Sequence, residues 1–121
     1  WTDRPIFWFD LSAEDWSYGM GYGGAKAATM VQFRARIDKN PQEFEKLVAF
    51  LDKQQEFALE GEEYARQKEA PSAKTATWYN KKSFSLIHRQ THDEELFSAD
   101  LAKRIAEGML TLMSIYDWLN I

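Results

Sequence analysis

The segment WSYGMGY (16–22) sets large side chains and nearly bare backbone in strict alternation. In an extended strand Trp16, Tyr18, Met20 and Tyr22 share one face, while Ser17, Gly19 and Gly21 form the other. Glycine inside a strand weakens it and marks a bulge, a bend, or a place where another backbone or a ligand comes close. The structural expectation is a helix packed on the bare face. The aromatic run PIFWFDL (5–11) precedes it across the short polar linker SAED, so the chain opens with two strands.

Beyond GGAK (23–26) the period changes. Met30, Phe33, Arg34 and Ile37 recur at three-and-four spacing, which is the stripe of an amphipathic helix. Asn40 followed by Pro41 closes this helix and opens another, because Asn caps well and Pro suits the first helical position. Phe44, Leu47, Val48 and Leu51 form the stripe of the second helix. In EFALEGEEYAR (56–66), Gly61 divides two short extended pieces, and the expected element is a small hairpin. QKEAPSAKTAT (67–77) is polar and aperiodic, the pattern of a loop. SFSLIHRQ (83–90) alternates Phe84, Leu86 and His88 with Ser85, Ile87 and Arg89, the period of another strand.

Asp93, Glu94 and Glu95 suggest an acidic turn, with Ser98 as an N-cap and Asp100 near the positive end of a final helix. The stripe of that helix runs through Leu101, Ile105, Met109, Leu112, Met113, Tyr116 and Leu119, and Gly108 gives a neighbour room to pack closely. The expected fold is therefore α+β: a small, mostly antiparallel sheet packed against about three helices, the last of them long.

With 121 residues and 45% hydrophobic content, the chain can bury a core without metal or disulfide support, and one domain over residues 1–121 is expected. Its 15 Lys and Arg against 19 Asp and Glu give a net charge of -4, so no overall basic field draws it to nucleic acid or to anionic lipid. The absence of Cys excludes disulfides, thiolate nucleophiles and Cys-ligated metals, and points to a cytoplasmic setting. No apolar run approaches the roughly 18 residues of a membrane span.

Residues 74–90 hold Lys74, Lys81, Lys82 and Arg89 without an acid, interleaved with Trp78, Tyr79 and Phe84. Cations beside exposed aromatics can neutralise phosphate and stack bases. If Trp78 and Phe84 are core instead, the lysines simply face water. His88 could serve as a general acid or base, but no acidic partner stands at fixed spacing from it, and a core histidine bonded to backbone is the simpler expectation. His92, Asp93 and Glu94 are metal-ligand types in a row, without the spacing that makes ligands converge, and no metal is assigned. Arg34 falls on an apolar stripe and requires a partner, either a carboxylate, for which Asp10 is one option, or an anionic ligand. No nucleophile elbow, phosphate loop or dinucleotide fingerprint is present.

In order and spacing, IFWFDLS, YGMGY, FRARID with NPQEF, FALEGEEY, WYNKKSFSLIH, LFSADLAKRI and IYDWL resemble an uncharacterised bacterial family, the domain-of-unknown-function 2461 family. The resemblance covers almost the whole chain. The family's glycine pair looks like Gly19 and Gly21, its helix arginine like Arg34, its hairpin glycine like Gly61, and its lysine before a strand like Lys82. It implies that this chain corresponds to the C-terminal portion of longer proteins, whose upstream part carries a polar motif without a counterpart here. The family name implies no activity, and no cofactor is expected.

Taken together, these features lead to one main expectation: a module binding a small anionic or phosphorylated ligand through Arg34 and Lys82, with Tyr22 or Trp78 as a stacking surface and His88 nearby. One alternative is an interaction domain that docks a missing N-terminal segment or forms a homodimer through an apolar patch. A second alternative is an enzyme using His88 with Lys82.

Overall fold

The computed structural model describes residues 3–92 and 98–119. The expected acidic turn at Asp93, Glu94 and Glu95 lies outside them. Strand β1 (Ile6–Leu11) and strand β2 (Asp15–Gly21) form an antiparallel hairpin in which Phe9 faces Tyr18 and Leu11 faces Trp16. Helices α1 (Ala27–Lys39) and α2 (Pro41–Asp52) follow, then the short β3 (Ala58–Glu60), the single-turn α3 (Ala76–Tyr79), β4 (Ser85–Thr91) and the long α4 (Asp100–Leu119). The four strands form one sheet in the order β1-β2-β4-β3, with every pair antiparallel. This is the expected α+β architecture, with three long helices and the long one at the C-terminus.

Residues directly opposite one another across antiparallel strands lie on the same face. The rows Phe7–Met20–Leu86–Leu59 and Phe9–Tyr18–His88 therefore share one side, and Trp8–Gly19–Ile87–Ala58 and Ile6–Gly21–Ser85–Glu60 share the other. The helices cover the first side. Trp16, Tyr18 and Met20 are fully buried there, together with Met30 and Ile37 of α1, Phe44 of α2, and Leu112 and Ile115 of α4. Rings interlock through this core, with Phe44 and Trp118 centroids 4.8 Å apart and Phe33 and Phe84 centroids 5.1 Å apart. Burying the bulky face removes far more apolar area from water than covering glycines would.

The expectation of a helix on the glycine face is thus corrected: among the described residues that face carries no helix. The glycines answer instead to the neighbouring strand. A Cβ at Gly19 would lie 3.1 Å from the Ile87 Cα, and one at Gly21 would lie 2.5 Å from the Ser85 Cα, so β2 and β4 can approach this closely only without side chains there.

The boundary between α1 and α2 follows from local chemistry. Asn40 accepts the Glu43 N–H at 3.2 Å and donates its amide to the Glu43 carboxylate at 3.1 Å, a reciprocal cap beside Pro41. The start of α1 is capped from far upstream. Lys26 provides no side-chain cap; instead the Asp3 carboxylate accepts the Lys26 N–H at 2.6 Å and the Thr29 hydroxyl at 3.2 Å.

Two expected elements differ. Gly61 does not turn a local hairpin. Residues 58–60 pair with β4, while the following segment pairs Glu63 with Lys81, so both halves run along one downstream stretch. Gly61, at φ 153°, would bring a Cβ within 3.0 Å of the Phe84 Cα as the segment passes. In α4 the buried line is Gly108, Leu112, Ile115 and Trp118; Leu101, Ile105, Tyr116 and Leu119 of the expected stripe pack partly buried beside it, and Met113 is left exposed. The missing side chain of Gly108 lets the helix settle against Tyr18. Among the described residues no helix is long and apolar enough to cross a membrane.

Candidate functional site

Arg34 occupies the turn of α1 between the buried Phe33 and Ile37, and it is half-buried itself. Its guanidinium donates to the Tyr64 hydroxyl at 3.0 Å and lies 5.2 Å from the centre of that ring. The Lys68 ammonium lies 4.9 Å from the same ring centre. Two cations therefore meet on one neutral phenol. The carboxylate expected as a structural partner is absent: Asp10 is exposed on the uncovered side of β1, and Arg34 makes no ion pair among the described residues.

The nearest turn of α1 supplies an acid, but Asp38 is engaged elsewhere. The Tyr79 hydroxyl donates to both Asp38 oxygens at 3.1 Å. Burial raises the Tyr79 pKa, the bond to Asp38 and its charge raise it further, and the nearby Arg34 pulls it down. Lys82 stands on the adjoining ladder. Its N–H donates to the Glu62 carbonyl at 2.8 Å and its ammonium lies 3.5 Å from the Glu62 carboxylate, while Tyr64, two residues on, donates its N–H to Asn80 at 3.0 Å. Arg34 and Lys82 thus lie against neighbouring positions of one short segment.

The other expected site residues are elsewhere. Trp78 is only 5% exposed, and its ring packs edge-on against Phe44 and Phe84. Tyr22 is buried against Phe84 as well, and burial pushes its hydroxyl pKa up to about 12. Both are core residues, which removes them as open stacking surfaces and removes the aromatic half of a nucleic-acid site at 74–90. One groove of about 300 Å³ does reach Trp78, with Leu51 and Phe57 in its wall and Lys74 and Asp52 among its polar members. A second hollow, of about 270 Å³, is bounded by Tyr22, Gly61, Glu62 and Ser83. Neither includes Arg34.

His88 lies on the helix-covered side of β4, its side chain 16% exposed. Its Nδ1 sits 2.9 Å from the Glu56 carbonyl oxygen and 3.3 Å from the Glu56 carboxylate. Its Nε2 sits 3.0 Å from the Gln90 side-chain oxygen and 3.1 Å from the Arg104 guanidinium. Arg104 in turn binds Glu56 at 2.7 Å. This cluster ties β4, α4 and the segment after α2 together. Lys82, before the first residue of β4, has its own partner in Glu62, so the structure does not assemble the expected His88 and Lys82 pair.

Sequence reasoning missed Tyr64, Lys68, Glu56 and Arg104. Arg104 alone carried a signal, because it interrupts the apolar stripe between Leu101 and Ile105. Tyr64 and Lys68 lie in irregular chain where no periodicity exists to read.

These features define the chain's class: an α+β domain whose four-stranded antiparallel sheet is roofed by helices on one side, with a cationic cluster at the edge of α1. The chain belongs to the family described as conserved hypothetical protein (DUF2461), which it matches over residues 2–118. No curated protein and no solved structure matches it. The family description names no activity.

Proposed function

We propose that this chain binds a small anionic ligand, with Arg34 as the principal cation and Lys68 and Lys82 as flanking ones. The observation that carries the reading is the bond from half-buried Arg34 to the neutral Tyr64 hydroxyl. Partial burial raises the cost of a charge, and a phenol supplies a hydrogen bond without compensating that charge. A carboxylate or phosphate group completes the set, and a planar guanidinium suits either bidentately. Because the net charge is -4, attraction of an anion must come from such a local cluster and not from the overall field. The absence of Cys fits a reducing, cytoplasmic setting for this binding.

The test is thermal unfolding followed by tryptophan fluorescence, in the presence of inorganic phosphate, phosphorylated sugars, nucleotides and dicarboxylates. A specific ligand at about 100 times its dissociation constant adds roughly 2.7 kcal/mol, several degrees for a domain of this size. The shift is expected to vanish in Arg34→Gln, to shrink in Lys68→Ala, and to persist in the exposed Lys46→Ala. If no anion moves the transition, or if the shift survives Arg34→Gln, the reading fails.

A further inference from the structure

We propose that the outer edge of β1 pairs antiparallel with the same strand of a second copy of this chain, about a two-fold axis at Phe7. Arg4 of each copy then faces the second copy's Asp10. β1 is terminal in the sheet order, six residues long, and apolar except for Asp10. Ile6 is 57% exposed, Phe9 44% and Leu11 58%. A long apolar edge with free main-chain groups is a template for another strand, and the usual protections against pairing, charged side chains along the strand or a bulge, are missing over 6–9.

Hydrogen-bond parity says which groups are free. Ser12 donates its N–H to the Asp15 carbonyl at 2.9 Å, so that pair is a bonded one. Bonded and non-bonded pairs alternate, which turns the main-chain groups of Asp10, Trp8 and Ile6 toward β2 and those of Leu11, Phe9 and Phe7 outward. Pro5, next in this outward set, lacks an N–H but offers its carbonyl.

Register selects the occupant. With Phe7 on the axis, the two Phe7 residues exchange main-chain bonds, and each Phe9 N–H meets the other copy's Pro5 carbonyl. Ile6 falls opposite Trp8 on the uncovered side of the sheet, and Arg4 falls opposite Asp10 on that same side. Arg4 and Asp10 are both exposed and have no partner of their own among the described residues. Moving the axis to Trp8 or Phe9 leaves Asp10 against an apolar side chain, so this self-complementary register alone satisfies both charges. The two-fold axis also brings the two copies of α4 to the same side of the joined sheet. There Leu110, Met113 and Tyr116 recur at three-residue spacing, and Tyr116 sits 4.7 Å from Phe7. Leu110 is 72% exposed and gains cover from such an arrangement.

The proposal is tested by sedimentation velocity over a concentration series, with circular dichroism confirming that each variant is folded. The unaltered chain is expected to be a dimer. Arg4→Asp and Asp10→Arg each place like charges face to face, and each is expected to weaken the dimer about tenfold. An equimolar mixture of the two variants restores both opposite-charge pairs and should recover the dimer. In the unaltered chain the amide protons of Phe7 and Phe9 should become protected from exchange as the dimer forms. A monomer at every concentration overturns the proposal and leaves the edge to a strand of a different polypeptide. A dimer indifferent to both charge reversals, or one that the mixture does not restore, overturns this register.

Discussion

Tyr18 fills the notch that Gly108 leaves in α4. A Cβ on that glycine would stand 2.9 Å from the Tyr18 Cε2 and 3.0 Å from the Phe57 Cζ, and Tyr18 is fully buried and cannot move aside. Gly108→Ala therefore sets two effects against each other. Helix propensity favours Ala by about 1 kcal/mol, whereas overpacking a closed core costs about 1–3 kcal/mol. The clash is expected to win, with a net loss of about 1 kcal/mol in urea denaturation. A gain in stability would show that α4 can lift away from β2.

Trp78 and Lys82 lie four residues apart and should respond very differently to truncation. Trp78→Ala opens a cavity among Phe44 and Phe84 and should cost about 3–5 kcal/mol. Lys82→Ala removes a solvent-exposed ion pair and should change stability by less than about 1 kcal/mol. Guanidinium denaturation of the two variants side by side checks the assignment of Trp78 to the core; comparable effects would contradict it.

Alkaline pH should destabilise the chain in a defined window. Burial raises the Tyr22 pKa from its ordinary 10.0 to about 12, so the folded state holds this proton more tightly than the unfolded state does. The contribution is fully present below pH 10 and is lost as pH rises toward 12, to the extent of about 2 kcal/mol. Tyr79 is shifted in the same direction and adds to the loss. Denaturation midpoints measured across this range should fall, and the fall should be shallower in Tyr22→Phe.

At the acid end, Asp3 contributes to the dependence. The Lys26 N–H, then Thr29 and the Lys26 charge, hold its carboxyl below the ordinary carboxylate value. Its cap on α1 is present above the unfolded pKa and is lost as pH falls through the lower folded one. Asp3→Ala should lower stability at neutral pH and flatten the acid limb of the midpoint profile, with faster amide exchange confined to the first turn of α1. An acid limb identical to that of the unaltered chain would assign the acid sensitivity to other carboxylates.

Much of the local architecture was legible. Asn40 and Pro41 announced the break between α1 and α2 because capping involves atoms only three residues apart. Alternation in WSYGMGY and SFSLIHRQ announced two strands, and Gly108 announced a close packing partner. The candidate site was legible only in part. Arg34 stood out as a cation on an apolar stripe, yet Tyr64 lies 30 residues away and nothing in its neighbours marks it as the group Arg34 meets. Tyr22 and Trp78 drew attention as aromatics near cations, and tertiary packing took both into the core.

The amino-acid sequence by itself determined the order and type of the long elements, the two-faced character of β2 and the α+β class. Those depend on backbone sterics and side-chain period within a few residues. Only the tertiary structure decided which face of β2 the helices cover, that the segment around Gly61 pairs with the stretch leading into β4, and which phenol Arg34 finds. Those outcomes depend on burying the largest apolar area and on the register between segments far apart in the chain, and neither is written in the spacing of any one segment.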